Sequence, residues 1–331
     1  MMNSNLESII PFVLWALVGS IITLYMYYKL GHRFKIYDVP NERSSHQNIT
    51  IRGGGVVLLI LNGMWLFFEP TEANILLSLS ISIGVLIGFL DDILTLKTWT
   101  RFLVYLLAVC IVLFGVLKLQ RFDTFIWIPL IIIILGAVNT YNFMDGINGI
   151  TALYSIIILG SSYLILNELN IDSWNTCLLL YSCFFVAFSL FNLRLRALMF
   201  LGDSGSVAMG LLTAFLVVRI GIQIESWSSI VLLAVYGVDS VGSIIIRLIK
   251  KENILTAHRS HLYQDLVHIT KWRHISVSLL YALIQLFINI GFFYVLSSKS
   301  IEWYAVSILL VLALLFYFIK RSFHGKHLFN V

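Results

Sequence analysis

Apolar runs of about 17 to 23 residues, the length needed to cross a bilayer core, recur along this chain and are separated by short polar islands. The pattern predicts eleven helices, near 8–30, 54–69, 75–90, 101–118, 125–141, 149–166, 174–191, 205–220, 227–248, 275–296 and 302–319. No internal repeat is evident. The expectation is an all-α integral membrane protein in which residues 1–331 form a single polytopic domain.

Composition supports this reading: of 331 residues, 59% are hydrophobic and only 12% charged, whereas a soluble domain carries roughly 25% charged residues. Mean hydropathy is +0.92. A soluble fold is therefore excluded. The first run is too long for a signal-peptide core and lacks a basic segment before it and a small-residue cleavage site after it, so it reads as a retained span. Cys110, Cys177 and Cys183 fall inside apolar runs with no paired or metal-ligand spacing, as small buried hydrophobes do.

Placing the N-terminus outside assigns the loops near 31–53, 91–101, 142–148, 192–204 and 248–274, with the tail after 319, to the cytoplasm. Those segments and their flanks hold all but four of the 22 Lys and Arg residues; only Lys118, Arg121, Arg219 and Lys299 fall elsewhere. The asymmetry predicts an N-out, C-in topology. Basic loops beside an anionic leaflet account for the net charge of +5, so membrane lipids are the expected partners and nucleic acid is not.

Acidic residues sort differently. Glu7, Glu69, Glu72, Asp123, Glu168, Asp172, Glu225 and Glu302 fall in outer loops, while the remaining aspartates gather at cytoplasmic helix ends beside Gly and Asn. A carboxylate desolvated near the membrane costs at least about 2.5 kcal/mol, so a set of them at one rim suggests a polar site.

Three segments carry candidate chemistry. The third span ends in Gly88-Phe89-Leu90-Asp91-Asp92, with Lys97 and Arg101 close behind; adjacent carboxylates and cations suit a metal-phosphate group, and equally an ordinary helix stop with local ion pairs. Asn139 to Ile150 interrupts an apolar stretch with Asn142, Asp145, Gly146, Asn148 and Gly149, and broken polar backbone at membrane depth requires protein or a water-filled cavity around it. A tight turn explains the glycines but not the carboxylate and amides together. Phe200-Leu201-Gly202-Asp203-Ser204-Gly205 opens the eighth span, where Asp203 is a metal-ligand candidate or a plain N-cap. Helix N-termini near Gly53-Gly54-Gly55, Gly146 and Gly149, and Gly202 share this face; their free amides would make a pyrophosphate cradle, with Gly54 and Gly55 as phosphate binders.

Two loops are rich in recognition groups: Asp38 to His46 with Arg52, and His258-Arg259-Ser260-His261-Leu262-Tyr263-Gln264. The two histidines have no third ligand to complete a zinc pattern. Asp239 inside the ninth span is either a functional carboxylate, with Arg247 two turns away, or an interhelical hydrogen-bonding group.

These motifs, in this order from Asp38 to Gln264, resemble the polyprenyl-phosphate N-acetylhexosamine-1-phosphate transferase family, glycosyltransferase family 4. That family includes initiators of O-antigen and related glycans, the muramoyl-pentapeptide phosphotransferase and the dolichyl-phosphate N-acetylglucosamine-phosphotransferase. By resemblance, Asp91, Asp92 and Asp203 are catalytic, and Asp203 with Asn142 contacts Mg2+, or Mn2+ in its place. Arg101 matches a basic residue near the lipid phosphate. Phe200 matches an aromatic that stacks on uracil, Asn148 and Asn192 match residues lining the nucleotide pocket, and His258, Arg259 and His261 fall in the segment associated with sugar recognition. Asp145, Lys97 and Asp239 are additional candidates.

Two departures matter. Asn148 stands where bacterial members commonly carry aspartate, so no acid-base role is assigned to it. The adjacent-histidine signature of the muramoyl-pentapeptide enzyme is missing. The loop looks more like those of initiators using UDP-FucNAc or UDP-QuiNAc, with GlcNAc or GalNAc donors as runners-up. The resemblance thus implies transfer of N-acetylhexosamine 1-phosphate from a UDP-sugar to undecaprenyl phosphate, with release of UMP. The site would face the cytoplasm at a bacterial inner membrane, and a homodimer is compatible with this reading. The rival class is a secondary transporter or lipid flippase, whose sites sit near the bilayer midplane between repeats.

Overall fold

The computed structural model describes residues 2–40, 48–118, 124–253 and 259–325. It is an all-α polytopic membrane protein. Its helices are α1 (Met2–Arg33), α2 (Leu58–Phe68), α3 (Glu72–Leu94), α4 (Thr98–Cys110), α5 (Thr124–Met144), α6 (Ile150–Glu168), α7 (Asn175–Asn192), α8 (Gly202–Gln223), α9 (Ala234–Ile249), α10 (Leu262–His268), α11 (His274–Val295) and α12 (Ile301–His324). A π-helical segment, Ile111–Val116, prolongs α4, and 3-10 segments Gly54–Val57 and Trp227–Leu233 lead into α2 and α9. Among the described residues, ten helices are long and apolar enough to cross a membrane.

The second expected span, 54–69, is the exception. Gly54–Phe68 is apolar but too short for that group; at about 1.5 Å of rise per residue it covers roughly 22 Å of a core about 30 Å thick. Its start is fixed by Gly53, whose φ of 81° is a left-handed conformation that glycine adopts without a Cβ clash. Two further elements were absent from the apolar pattern. Tyr37–Asp38 (β1) pairs antiparallel with Thr50–Ile51 (β2), and Ile51 bridges Met199 in parallel. The short α10 lies in the loop between α9 and α11.

Helix α8 is the axis of the bundle. From Ser204 to Val218 its residues are apolar or small on every side and all are buried, as expected of a helix surrounded by others. Packing is close because glycines remove side chains where backbones meet. A Cβ on Gly88 of α3 would lie 2.5 Å from the Asp203 carbonyl carbon, one on Gly210 of α8 would lie 2.6 Å from Val138 Cα of α5, and one on Gly55 would lie 2.1 Å from the Gly205 nitrogen. Helices α1 and α12 lie at the periphery and expose most of their apolar residues.

The loops expected on one side of the membrane do meet. Arg52 pairs with Asp92, Asn148 donates to the Arg194 carbonyl, the Tyr263 hydroxyl donates to the Phe143 carbonyl, and Lys320 donates to the Ser260 carbonyl. One polar face therefore collects the ends of α3, α5, α7 and α9, the starts of α2, α6 and α8, and the C-terminal end of α12.

The Gly55 contact leads to a direct test. Gly55→Ala should destabilise the protein by about 1–3 kcal/mol or more, because the obstacle is backbone that cannot rotate away. Gly63→Ala, with nothing within 4 Å of the new methyl, should be neutral or slightly stabilising. Thermal unfolding of the detergent-solubilised variants checks both; equal midpoints would contradict the packing described.

Candidate active site

Three carboxylates and two guanidinium groups converge on the polar face. The last turns of α3 deliver Asp91 and Asp92, and the first turn of α8 delivers Asp203. Arg101 comes from the first turn of α4, and Arg52 follows β2. The Arg52 Nε lies 2.7 Å from Asp92 Oδ1, with its Nη2 3.8 Å from Asp203 Oδ1. Arg101 Nη1 lies 2.7 Å from Asp91 Oδ2 and 3.5 Å from Asp203 Oδ2. From the C-terminal turn of α5, Asn142 Nδ2 donates to Asp203 Oδ2 at 3.2 Å. Asp203 is thus the point where both cations and the amide meet.

The adjacent aspartates do different work. Asp91 accepts from Arg101 and, through Oδ1, from the Leu96 N–H at 2.6 Å, which ties down the turn between α3 and α4. Asp92 is buried and accepts from the backbone N–H of Asp203 at 3.0 Å and of Ser204 at 3.5 Å. It therefore caps α8 from a different helix and places a negative charge at the positive end of that helix's dipole. The geometry requires glycine at position 202: its φ is 76°, and a Cβ there would lie 2.2 Å from Asp92 Oδ2.

The expected phosphate cradle at Gly54 and Gly55 is not what the geometry provides. Their N–H groups donate to the carbonyls of Phe200 and Leu201 at 3.0 and 2.9 Å, so these amides are already engaged. The two glycines instead admit Met199 and Gly205. Asn192 is similarly committed: its Oδ1 accepts from Gly149 N and its Nδ2 donates to the Met199 carbonyl. Asn148 donates to the Arg194 carbonyl, and its own carbonyl accepts from the Ser278 hydroxyl. Both asparagines therefore fasten the loop between α5 and α6 to the segment before α8, and Phe200, half-buried, lies in that segment.

Asp145 sits beyond the end of α5. Burial pushes its carboxyl up to about 8, and the charges of Asp203 and Asp92 act in the same direction. Lys97 is exposed at the N-cap of α4; Arg101, one turn on, is the cation that reaches the carboxylates.

The second recognition loop is clamped from two sides. His258 lies outside the described residues, and Arg259 is exposed. His261 is 2% exposed and forms the N-cap of α10, with Nδ1 3.4 Å from Asp239 Oδ1. Asp239 accepts from the N–H groups of Leu262 and Tyr263 at 2.8 and 3.1 Å and from the Tyr281 hydroxyl at 2.7 Å. It therefore caps α10 across the bundle. Arg247 turns instead to Glu252 at 3.0 Å. On the other side, Lys320 of α12, 2% exposed, donates to the Ser260 carbonyl at 2.5 Å and to Asp265 Oδ2 at 2.6 Å, and His324 lies 2.8 Å from the same oxygen.

An apolar cavity of about 1170 Å³ opens beside the cluster, between α4, α5, α9 and α12. Arg101, Asn142 and His261 line its polar part, and Ile132, Val241, Ile245, Leu309 and Phe316 belong to its apolar walls. The arrangement can hold a molecule with an anionic head and a hydrocarbon tail, with the head against Arg101.

Sequence reasoning missed the clamp. Lys320 and Asp265 are 55 residues apart, so no local spacing joins them; the available signal was a lysine near the end of a long apolar run. Arg52 was visible as a lone cation before a glycine triplet, but its Asp92 partner was not.

A buried ion pair that loses one partner leaves an uncompensated charge, at a cost of about 3–5 kcal/mol, whereas replacing both partners with apolar groups is often neutral. Lys320→Met should therefore lower the unfolding temperature markedly. The double variant Lys320→Met/Asp265→Leu should recover a large part of the loss. Additive losses in a double-mutant cycle would contradict the pairing.

Comparison with known proteins agrees with this geometry. Residues 74–221, which span α3 to α8 and include both halves of the carboxylate cluster, match the glycosyl transferase family 4 model. Over 328 residues, covering 90% of this chain and 88% of the relative, the chain is 25% identical to a probable undecaprenyl-phosphate N-acetylglucosaminyl 1-phosphate transferase of Bacillus subtilis (strain 168). It is 25% identical to a phospho-N-acetylmuramoyl-pentapeptide-transferase of Geobacillus kaustophilus over 76% of this chain and 87% of the relative. The corresponding protein of Prochlorococcus marinus is 27% identical over 73% and 72%. The matched segment contains Asp91, Asp92, Arg101, Asn142 and Asp203, so over α3 to α8 the chain is similar to glycosyl transferase family 4, and the relatives extend that similarity across most of its length.

Proposed function

We propose that this protein transfers N-acetylhexosamine 1-phosphate from a UDP-sugar to polyprenyl phosphate, giving polyprenyl-diphosphate-N-acetylhexosamine and UMP. The observation that carries the proposal is Asp203, in contact with Arg52, Arg101 and Asn142, beside an apolar cavity that can take a lipid tail. The names of the relatives support it: they describe transferases of sugar 1-phosphates and of the phospho-N-acetylmuramoyl-pentapeptide.

In this reaction an oxygen of the lipid phosphate attacks the sugar-linked phosphorus, and the bond from that phosphorus to the bridging oxygen breaks, so that UMP departs. A phosphate monoester has a second pKa near 6 and is mostly dianionic at neutral pH, so the nucleophile needs no strong base. Catalysis then rests on positioning and on charge neutralisation. Arg101 holds the acceptor phosphate, and Arg52 faces the diphosphate from the opposite side of Asp203. Asp91, bound by Arg101 and the Leu96 amide, keeps that guanidinium oriented rather than removing a proton. Asp92 holds the head of α8 in place.

The donor set fits Mg2+ or Mn2+. Among the described residues no group of three His, Cys, Asp or Glu side chains gathers to cage a metal. Mg2+ characteristically takes one or two carboxylates and completes its shell with water and substrate phosphates. Asp203 and the amide oxygen of Asn142 would hold it, the amide being free to present either end. When bound, the cation supplies neutralisation of diphosphate charge.

The excess of Lys and Arg in the loops supports a polar face at the cytoplasmic leaflet of a bacterial inner membrane, with the N-terminus outside. The donor is an N-acetylated hexosamine: the recognition loop favours a FucNAc or QuiNAc type, and the Bacillus subtilis relative keeps GlcNAc in the comparison, with GalNAc behind. The product then starts an O-antigen or related surface glycan.

Asp203→Asn removes the charge that both arginines and the cation require. Mg2+-dependent UMP release by the purified protein, supplied with undecaprenyl phosphate and a panel of UDP-N-acetylhexosamines, should fall by at least about a hundredfold. Wild-type rates in that variant would remove Asp203 from the reaction.

A further inference from the structure

Among the described residues, two buried donors next to the carboxylate cluster have no hydrogen-bond partner. On α4, Arg101 and Tyr105 are separated by four residues and share one helix face, and both line the apolar cavity. Tyr105 is 5% exposed. Among the described residues its hydroxyl makes no hydrogen bond, and neither does Arg101 Nε. Arg101 Nη1 is committed to Asp91 and Asp203.

A phenol in this position is costly. A buried hydroxyl without a partner destabilises the fold, whereas phenylalanine would fill the same ring volume without that cost. Among the described residues none of the neighbouring carboxylates takes this proton: both oxygens of Asp91 and of Asp92 accept from other donors, and Asp203 accepts from Arg101 and Asn142 through Oδ2. What occupies the cavity can supply the acceptor that the hydroxyl lacks, and the cavity sets its class. An oxygen-rich anion fits a guanidinium and a phenol side by side, and the apolar walls around them call for a hydrocarbon tail on that anion.

We propose that Tyr105 is a binding residue for the lipid acceptor, its hydroxyl donating to a phosphate oxygen of polyprenyl phosphate while Arg101 carries the charge. This rests on the transferase reading given above. It adds a neutral donor to the acceptor site, and so makes phosphate recognition depend on a group that the basic residues alone do not supply.

The test is equilibrium binding to the full-length, detergent-solubilised protein, with undecaprenyl phosphate and undecaprenol as probes. Tyr105→Phe should weaken undecaprenyl phosphate binding by about tenfold or more, in the range of one hydrogen bond to a charged group, and leave undecaprenol binding unchanged. Its unfolding temperature should equal or exceed that of the wild type, because an unpaired hydroxyl has been removed. In turnover, the acceptor KM should rise by a similar factor and the KM for the UDP-sugar should stay within twofold. Unchanged undecaprenyl phosphate affinity, an equal loss for undecaprenol, or a rise confined to the donor KM would each overturn the assignment. Failure of the transferase reading shows separately, as binding of the lipid phosphate by the wild type without release of UMP.

Discussion

The contact on which the polar face depends is the capture of the α8 N-terminus by Asp92. A helix enclosed by others begins with N–H groups that water cannot reach, and each must find an acceptor. Here a carboxylate from α3 supplies it, taking the amides of Asp203 and Ser204 while Arg52 balances its charge. Gly88 and Gly202 are the concessions the contact demands, one letting α3 touch α8 and the other keeping a methyl off the carboxylate. With α8 fixed in this way, Asp203 is held on its first turn within reach of Arg101, Asn142 and Arg52.

The same economy of buried charge governs the loop around α10. Asp239 inside α9 is satisfied by two amides, a phenol and His261, and Lys320 by a carbonyl and Asp265. Such groups are expensive at a membrane rim unless fully partnered. Partnered as they are, they fix His261 on the wall of the cavity that Arg101 and Asn142 also line. The cavity is thereby bounded by charged groups at one end and by lipid-like side chains along its length, the distribution an amphiphilic phosphate requires.

Much of the fold was legible in the sequence because a bilayer forces each spanning segment to close its own backbone hydrogen bonds, so length and apolarity suffice to find it. Gly54–Phe68 shows where that logic thins: the apolar run gave its limits, but the helix is too short to cross the core by itself. At the site, Asp91, Asp92, Arg101, Asn142 and Asp203 stood out as polar interruptions of apolar runs, and the structure brings them together. Their separate tasks were not legible. Gly54 and Gly55 looked like free amides until Phe200 and Leu201 were seen to accept from them. Asn192 looked like a pocket residue but joins Gly149 to Met199, and Tyr105 reads in sequence as one more aromatic in an apolar helix.

The central claim is that the carboxylate cluster and the cavity serve one phosphoryl transfer, in which the sugar and its phosphate move together and the nucleoside monophosphate stays behind. The most direct measurement uses a UDP-N-acetylhexosamine carrying phosphorus label on the sugar-linked phosphate and tritium on uridine, incubated with the purified protein, undecaprenyl phosphate and Mg2+. The account predicts phosphorus label in the organic phase as lipid diphosphate and tritium in the aqueous phase as UMP. Both labels remaining together in the aqueous phase for every donor tried, or both crossing a vesicle membrane intact, would contradict it.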